Sequence, residues 1–418
     1  MNYDVESVRR NFPGLQRKKH DRQAVFLDNP AGTQVAASVI ERMTDMMINA
    51  NGNLGGFFDT SLEAASRVEA AHRAAEAFVN AYEEGEVFFG QSATALTFAM
   101  SRSIGSLLSA GDEIILSRMD HDANVAPWLM LAEDLNLSVK WLDFSTETYE
   151  FDPDDLVKLI SDKTRLVAVG YASNITGTIN NVQALAQIAH RADALVYVDA
   201  VQYAPHGLID VQRLGCDFLV CSAYKFFGPH YALLWGRRSV LDRVRPYKVR
   251  AASDTLPWRF TNGTTNREQL AGVHAAIDYI AALGDQFAGT TSASGLRARL
   301  DGGYKAMKHH DDLLALKLID GLRAHNRVRV LGISDARSLD RRVSTVTFVA
   351  EGVPSADIAR HLASKGIHVW SGHNYGLEAN LRLGILDSGG GVRIGPVHYN
   401  TLEEIDRTLT EISGILSR

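Results

Sequence analysis

Cysteine is scarce in this chain of 418 residues, which contains only Cys216 and Cys221. Two thiols in one short apolar stretch exclude a disulfide framework and a structural zinc site of four thiolates. This composition fits a reducing compartment and predicts a cytoplasmic location. Residues 1–10 lack the apolar core of a signal peptide, and no run of about 18 apolar residues occurs anywhere, so no membrane segment is expected.

A strong excess of one charge is also missing. The chain carries 43 Lys and Arg residues against 49 Asp and Glu residues, a net charge of −6. This balance gives no electrostatic reason to expect a nucleic-acid or membrane partner. The sequence has no Gly-x-Gly-x-x-Gly after its first strand and no Gly-Lys-Ser/Thr step, which excludes the usual phosphate loops of nucleotide enzymes. We therefore expect a folded protein with a small-molecule substrate.

Short apolar runs alternate with amphipathic stretches through the first two thirds of the chain. This alternation predicts an α/β fold with a mostly parallel central sheet and helices on both faces. The predicted strands are Glu86–Phe89, Glu113–Leu116, Val139–Leu142, Leu166–Val169, Leu195–Val198, Phe218–Cys221 and Ala232–Trp235. The predicted helices are Leu62–Ala81, Ala93–Leu108, Asn124–Leu135 and Val182–Ala192.

A polar stretch rich in glycine and serine, Gly284–Gly303, interrupts this pattern and is expected to lead into a smaller α+β domain. The elements predicted there are helices Asp311–Ala324, Ser355–Lys365 and Leu402–Leu416 and strands Ser344–Val349 and Ile367–Trp370. We predict a large domain at residues 20–290 and a small domain formed by residues 1–19 and 291–418.

Chemically useful side chains follow two of the predicted strands. Asp199 ends one strand and Gln202 comes three residues later, while Lys225 follows another strand amid aromatic residues. Alone, Asp199 fits a helix cap and Lys225 fits a lysine whose ammonium group reaches solvent. Ligands bind at the carboxyl ends of parallel strands, so the two groups are expected to meet the same small ring.

Two further strand ends add a phosphate site and an imidazole. Ser92 and Thr94 begin a helix, where free backbone N–H groups and the helix dipole attract phosphate, although ordinary capping explains the same residues. His121 is placed to stack on an aromatic cofactor, although a lone histidine is more often a structural hydrogen-bond partner. Together with Asp199 and Lys225, these groups are the set that pyridoxal 5′-phosphate requires.

The sequence resembles the class V aminotransferases of fold type I, and especially the cysteine desulfurases, over nearly its whole length. The motifs that carry the resemblance are Phe26–Gly32, Asp120–Trp128, Ser173–Thr178, Val198–His206, Ser222–Pro229, Gly263–Asn266, Val392–Ile394 and Tyr399–Thr401. The resemblance implies a fold type I transferase with pyridoxal phosphate as cofactor, an amino-acid substrate, and active sites shared between the subunits of a homodimer.

The resemblance also assigns roles residue by residue. Lys225 would form the Schiff base with the cofactor and later move the α-proton. Asp199 would pair with the ring nitrogen, and His121 would stack on the ring. The remaining contacts implied are Asn174 and Gln202 to the phenolic oxygen; Ser92, Ala93, Thr94, Ser222 and Tyr224 to the phosphate; Thr264 to the phosphate from a second subunit; and Arg393 to the substrate carboxylate. An exposed strand position is the alternative for Arg393.

Three positions depart from the desulfurase pattern. Tyr375 stands where the cysteine that becomes a persulfide is expected, Trp370 replaces an arginine, and Tyr224 replaces the histidine before the lysine. The residues expected to line the substrate pocket are Asn29, Phe57, Phe58, Trp370, His373 and Tyr375.

We therefore expect a desulfurase-like lyase that acts on an amino acid by C–S cleavage or β-elimination without a protein persulfide. Transamination and epimerisation remain open alternatives. The competing hypothesis from another class is a non-catalytic binding protein that keeps this fold, and the presence of both Lys225 and Asp199 argues against it.

Overall fold

The computed structural model describes residues 3–19 and 21–417, and it is built around a seven-stranded sheet. The strands are β1 (Val87–Gly90), β2 (Glu113–Ser117), β3 (Ser138–Leu142), β4 (Thr164–Gly170), β5 (Leu195–Asp199), β6 (Phe218–Ser222) and β7 (Ala232–Gly236). Their order across the sheet is β1-β7-β6-β5-β4-β2-β3. Only β7 runs antiparallel to its neighbours, β1 and β6. All seven predicted strands and the α/β fold class are confirmed.

Helices pack on both faces of this sheet. They are α1 (Ala37–Asn49), α2 (Asp59–Val79), α3 (Ala93–Gly105), α4 (Ala126–Leu135), α5 (Pro153–Leu159), α6 (Val182–His190) and α7 (Arg267–Ala288), with shorter helices at Val5–Arg9, Val211–Leu214 and Arg238–Leu241. Buried apolar residues form one large cluster on each face. The central strands are largely apolar because both of their faces are covered.

The prediction that Gly284–Gly303 interrupts the helices is largely wrong. Helix α7 continues to Ala288, and the next helix, α8 (Leu296–Arg323), begins well before the predicted start at Asp311. The two helices pack closely, and a Cβ at Gly284 or Gly303 would collide with the backbone of the other helix. These glycines permit close helix packing, so they do not mark the ends of helices.

The remainder of the chain forms a four-stranded antiparallel sheet covered by helices. Its strands are β8 (Val328–Leu331), β9 (Val346–Ala350), β10 (Trp370–Gly372) and β11 (Gly391–Ile394), in the order β8-β9-β11-β10. Its other helices are α9 (Ser355–Ser364), α10 (Leu377–Arg382) and α11 (Leu402–Leu416). The smaller α+β unit is therefore confirmed. Two of its strands, β8 and β11, were not predicted from the sequence.

The beginning of the chain contacts this smaller unit. Strand Val25–Phe26 pairs in parallel with Ile367–His368, and Leu27 packs in the core of the small sheet. The predicted limits of the two domains stay a prediction, and four of the residues they include (Met1, Asn2, His20 and Arg418) lie outside the described residues. No helix in the described part of the chain is long and apolar enough to cross a bilayer.

Candidate active site

A cavity of about 580 Å³ lies at the carboxyl ends of the parallel strands. Asp199 is the last residue of β5, and Lys225 ends a short 3-10 turn that directly follows β6. Because β5 and β6 are parallel neighbours, both side chains reach the same cavity. Each residue is only 8% exposed. The structure therefore brings the carboxylate and the amine together as the sequence suggested.

Ten of the eleven predicted cofactor-binding residues line this inner cavity: Ser92, Ala93, Thr94, His121, Asn174, Asp199, Gln202, Ser222, Tyr224 and Lys225. Thr264 is the exception. It lines a separate cavity of about 1380 Å³ together with Gln91 and His230. Within one chain, Thr264 therefore does not belong to the site of Lys225.

Burial controls the charge state of the two central groups. Burial and, to a smaller extent, the nearby Arg393 cation lower the pKa of Lys225 from its ordinary 10.5 to about 7, while Asp199 opposes the shift. Burial also raises the pKa of Asp199 to about 6. A hydrogen bond from Val201 N at 2.8 Å and the charge of Lys225 both act to lower this pKa, but burial has the larger effect. The Lys225 ammonium donates to the carbonyl oxygen of Pro30. The amine is thus easily neutralised, as a nucleophile requires.

The N-terminus of α3 forms one end of the cavity. Ser92 is its N-cap, and the Ser92 hydroxyl oxygen accepts from Ala95 N at 3.1 Å. Ala93 and Thr94 begin the helix beside Ser222 of β6, so free amides and hydroxyl groups meet there. A helix N-terminus with such donors favours an anion.

His121 follows β2 and is a neutral ring in this environment. Its Nδ1 accepts a hydrogen bond from Ala123 N at 3.0 Å. Burial lowers the pKa of His121 to about 3, and the cations of Lys225 and Arg393 act in the same direction. On its outer side, the ring stacks with Tyr375, with centroids 5.4 Å apart. A neutral, flat imidazole is suited to packing against an aromatic ligand.

Arg393 lines an outer cavity that adjoins the inner one. It lies on the buried strand β11, so the alternative of an exposed strand arginine is excluded. Its Nη1 donates to Asn174 O at 3.1 Å, and burial lowers its pKa to about 10. The outer cavity, of about 1490 Å³, is lined by Arg393 and shares Thr94, His121, Tyr224 and Lys225 with the inner one. The outer cavity therefore offers a ligand carboxylate the guanidinium group of Arg393, in the same cavity that the Lys225 amine lines.

Only half of the residues expected to line the substrate pocket do so. Trp370, His373 and Tyr375 line the outer cavity. Asn29 does not, because its side chain is buried in hydrogen bonds with Phe26 O, Gly395 O and Asn400. The aromatic side chains of Phe57 and Phe58 point to solvent, and Phe57 is 100% exposed.

Sequence reasoning missed one carboxylate of the inner cavity and one carbonyl group, that of Pro30, in the outer cavity. Asp120 lines the cavity beside His121 and accepts from Gly170 N at 2.8 Å and from Asn124 Nδ2 at 2.6 Å. Burial raises its pKa to about 7. Its position in the turn after β2, next to His121, was the signal that could have identified it. The Pro30 carbonyl, which accepts from Lys225, had no signal, because its position depends on a contact between distant parts of the chain.

The site residues fit pyridoxal phosphate on structural grounds. Asn174 Oδ1 and Arg393 Nε are buried and have no hydrogen-bond partner among the described residues. Buried polar atoms are rarely left in this state unless a ligand or water satisfies them. The amine, the buried carboxylate, the flat imidazole and the anion site match the groups of this cofactor.

A protein-family model described as aminotransferase class-V matches residues 25–294 and 286–408. The aminotransferase-like protein FGM3 of Gibberella zeae is 32% identical to this chain over 428 aligned positions, which cover 99% of both proteins. A probable cysteine desulfurase of Halalkalibacterium halodurans is 30% identical over 417 positions, or 96% of both. The apo structure of the cysteine desulfurase from Thermococcus onnurineus aligns with a TM-score of 0.87 and 25% identity, covering 100% of this chain and 99% of that one.

The match spans both sheets, and it includes the strand ends that carry Asp199 and Lys225. The chain belongs to the class V aminotransferase family of pyridoxal-phosphate-dependent enzymes and is cysteine desulfurase-like.

Proposed function

We propose that this chain binds pyridoxal phosphate through Lys225 and acts on an amino acid as a lyase that releases the side-chain group without a persulfide on the protein. The observation that carries the proposal is the buried Lys225–Asp199 pair in a cavity that continues to Arg393, whose Nε has no partner among the described residues. An amine, a ring-facing carboxylate and a carboxylate-binding guanidinium group are what such chemistry needs.

With the cofactor bound, each of these side chains would have a defined role. The cofactor supplies an aldehyde for the amine and a ring that stabilises negative charge on the substrate α-carbon. Lys225 Nζ would hold the cofactor through its aldehyde and would accept the substrate α-proton, while Asp199 would keep the ring nitrogen protonated. The N-terminus of α3 would bind the phosphate, and Arg393 would fix the substrate carboxylate by two parallel hydrogen bonds. Asn174 and Gln202, which line the same cavity, would bind the remaining ring oxygen.

Two observations support a route without a protein persulfide. Tyr375 occupies the position of the expected cysteine in the wall of the outer cavity. Cys216 and Cys221 are both fully buried, and burial raises the pKa of each thiol, which keeps it protonated and unreactive. Transamination is the second candidate, since the aligned protein from Gibberella zeae is named aminotransferase-like.

A homodimer would complete the site. Thr264 lies in its own cavity, apart from Lys225, and so is free to contact a second subunit. Large apolar side chains are exposed on α1 and near the start of α2, including Met47, Ile48, Phe58 and Leu62. Exposed apolar side chains of this kind favour contact with another protein surface. Light scattering of the purified protein tests this point directly.

The decisive experiment incubates the purified enzyme with a panel of amino acids, alone and with pyruvate or 2-oxoglutarate. Sulfide, ammonia or a keto acid released without an acceptor supports elimination. Turnover that requires the acceptor indicates transamination, and loss of optical activity without other products indicates epimerisation. A colourless protein that takes up no cofactor refutes the enzyme hypothesis in favour of a binding protein.

A further inference from the structure

The segment between β10 and α10, residues 372–376, has a defined conformation. Asn374 and Tyr375 both adopt left-handed backbone angles, with φ of 47° and 58°. This region is unfavourable for a tyrosine, and it persists only where surrounding contacts impose it. The turn is fixed by Asn380 of α10, whose Nδ2 donates to His373 O at 3.1 Å, and from within by Tyr375 N, which donates to His373 Nδ1 at 3.0 Å.

The same segment is attached to the loops of the large sheet. Asp122 N donates to Tyr375 O at 2.7 Å, and Asn174 Nδ2 donates to Asn374 O at 2.8 Å. A Cβ at Gly376 would collide with Ile175, so glycine at this position allows the close approach. Two hydrogen bonds and one steric fit therefore join the turn to residues on either side of the inner cavity.

The Tyr375 ring is held between two imidazoles. It stacks on His121 with an interplanar angle of 22°, and it meets the edge of His373 at a centroid distance of 5.8 Å. The side chain is 65% exposed and lines the outer cavity. Its hydroxyl forms no hydrogen bond within the described part of the chain, so the contacts that its side chain makes there are those of the aromatic ring.

We infer that residues 372–376 form a docked wall of the outer cavity and that Tyr375 is a specificity-determining residue that limits the side chain of the amino-acid substrate. This inference rests on the proposed function for its ligand, an amino acid. With the ring in place beside His121, short side chains fit and long ones are rejected. Because Asn174 is bound to both Asn374 and Arg393, the wall also holds the loop that contacts the carboxylate-binding arginine.

The first test measures docking without any substrate. Hydrogen–deuterium exchange of the holoenzyme follows the amides around Asp122 and Tyr375 in the wild type, Y375F and Y375A. We expect slow exchange in the wild type and in Y375F, and exchange about fivefold faster in Y375A, because an aromatic stack is lost. Leu381→Ala, which shortens an exposed side chain on the adjoining helix, is the control and should leave exchange unchanged. Rapid exchange in the wild type overturns the docked wall.

The second test measures selectivity by titrating each holoenzyme with amino acids of increasing side-chain length and following the cofactor absorbance. We expect Y375A to improve binding of long relative to short side chains by about tenfold, while Y375F keeps the wild-type ratio. An unchanged ratio in Y375A, or equal effects of Y375A and Y375F, overturns the specificity role. If the holoenzyme binds no amino acid, the proposed function fails, and the exchange result alone decides whether the wall exists.

Discussion

The inner and outer cavities share several residues, yet their walls are built differently. The inner cavity is lined almost wholly by residues at the ends of the parallel strands and the turns that follow them, such as Asp199, Ser222 and Lys225. Part of the outer cavity's wall comes from the second sheet and its turn, including Trp370, Tyr375 and Arg393. Trp370 and Tyr375, two of the three positions at which the sequence is expected to depart from the desulfurase pattern, lie in the outer wall.

This difference leads us to expect that the inner cavity carries out the reaction and that the outer cavity selects the amino acid. Strand ends are fixed by the hydrogen bonds of the sheet, so they hold the amine and the carboxylate in a constant relation. The outer wall depends on a turn and an edge strand, which can change without disturbing the core. Variants of the inner cavity should therefore abolish the reaction, whereas variants of the outer cavity should change which amino acid is accepted.

The largest effect is expected at the inner amine. Lys225→Ala should remove the visible absorbance of the lysine–cofactor imine and lower turnover by more than about 10⁴-fold, because the nucleophile and the base are lost together. Absorbance spectra and product assays measure the two effects. Lys158→Ala, at an exposed lysine of α5, is the matched control and should behave as the wild type. A coloured, active K225A protein would contradict the role of the inner cavity.

The pH dependence of cofactor uptake should come next in size. The neutral amine is the nucleophile, so uptake rises as the pH passes upward through the pKa of Lys225, which is about 7 and not 10.5. At pH 8 such an amine is neutral about 300 times more often than an ordinary lysine. Stopped-flow uptake by the cofactor-free protein should have a midpoint near pH 7, and a midpoint above pH 9 would show that burial does not act as described.

Variants of Arg393 test whether the outer cavity binds the substrate carboxylate. Arg393→Gln should lower kcat/KM by about 10- to 100-fold, mainly through KM, because a charged hydrogen-bonded pair with the substrate carboxylate is lost. Arg393→Lys should recover only part of this, since lysine cannot bind a carboxylate with two parallel hydrogen bonds. The same R393Q variant should raise the midpoint of cofactor uptake, because the Arg393 cation lowers the pKa of Lys225. A fall in kcat with unchanged KM would contradict substrate binding by Arg393.

The inner cavity was more predictable from sequence than the outer one for a physical reason. Strands in a parallel sheet are continuous apolar runs, and the residue that ends each run must lie at one edge, as Asp199 does. Lys225 and His121 follow the same rule. Local pattern and strand order together bring these residues to one place.

Contacts between distant segments are what the sequence could not reveal. Gly284 and Gly303 each lie inside a helix, where the missing side chain lets the other helix pack closely. No local sequence pattern shows this contact. Asn29 is taken up by bonds to Gly395 and Asn400, more than 350 residues away in sequence. Docking of Tyr375 beside His121 likewise depends on the approach of the second sheet to the first. The role of Thr264, which lines a separate cavity, stays a prediction.

The smallest effect on turnover is expected for variants of the two cysteines. Both cysteines lie close to the inner cavity in sequence but pack in the apolar core. Cys221 lies in β6 next to Ser222 of the inner cavity, but its side chain belongs to the apolar cluster on one face of the sheet, as does that of Cys216. Cys216→Ala and Cys221→Ala, separately and together, should keep kcat/KM within about twofold while lowering stability by about 1 kcal/mol per site, because each leaves a small cavity. Thermal unfolding and sulfide release measure these effects. If a variant that retains cofactor absorbance loses its turnover, a thiol takes part in the reaction, and the assignment of Tyr375 as a replacement for the nucleophile fails.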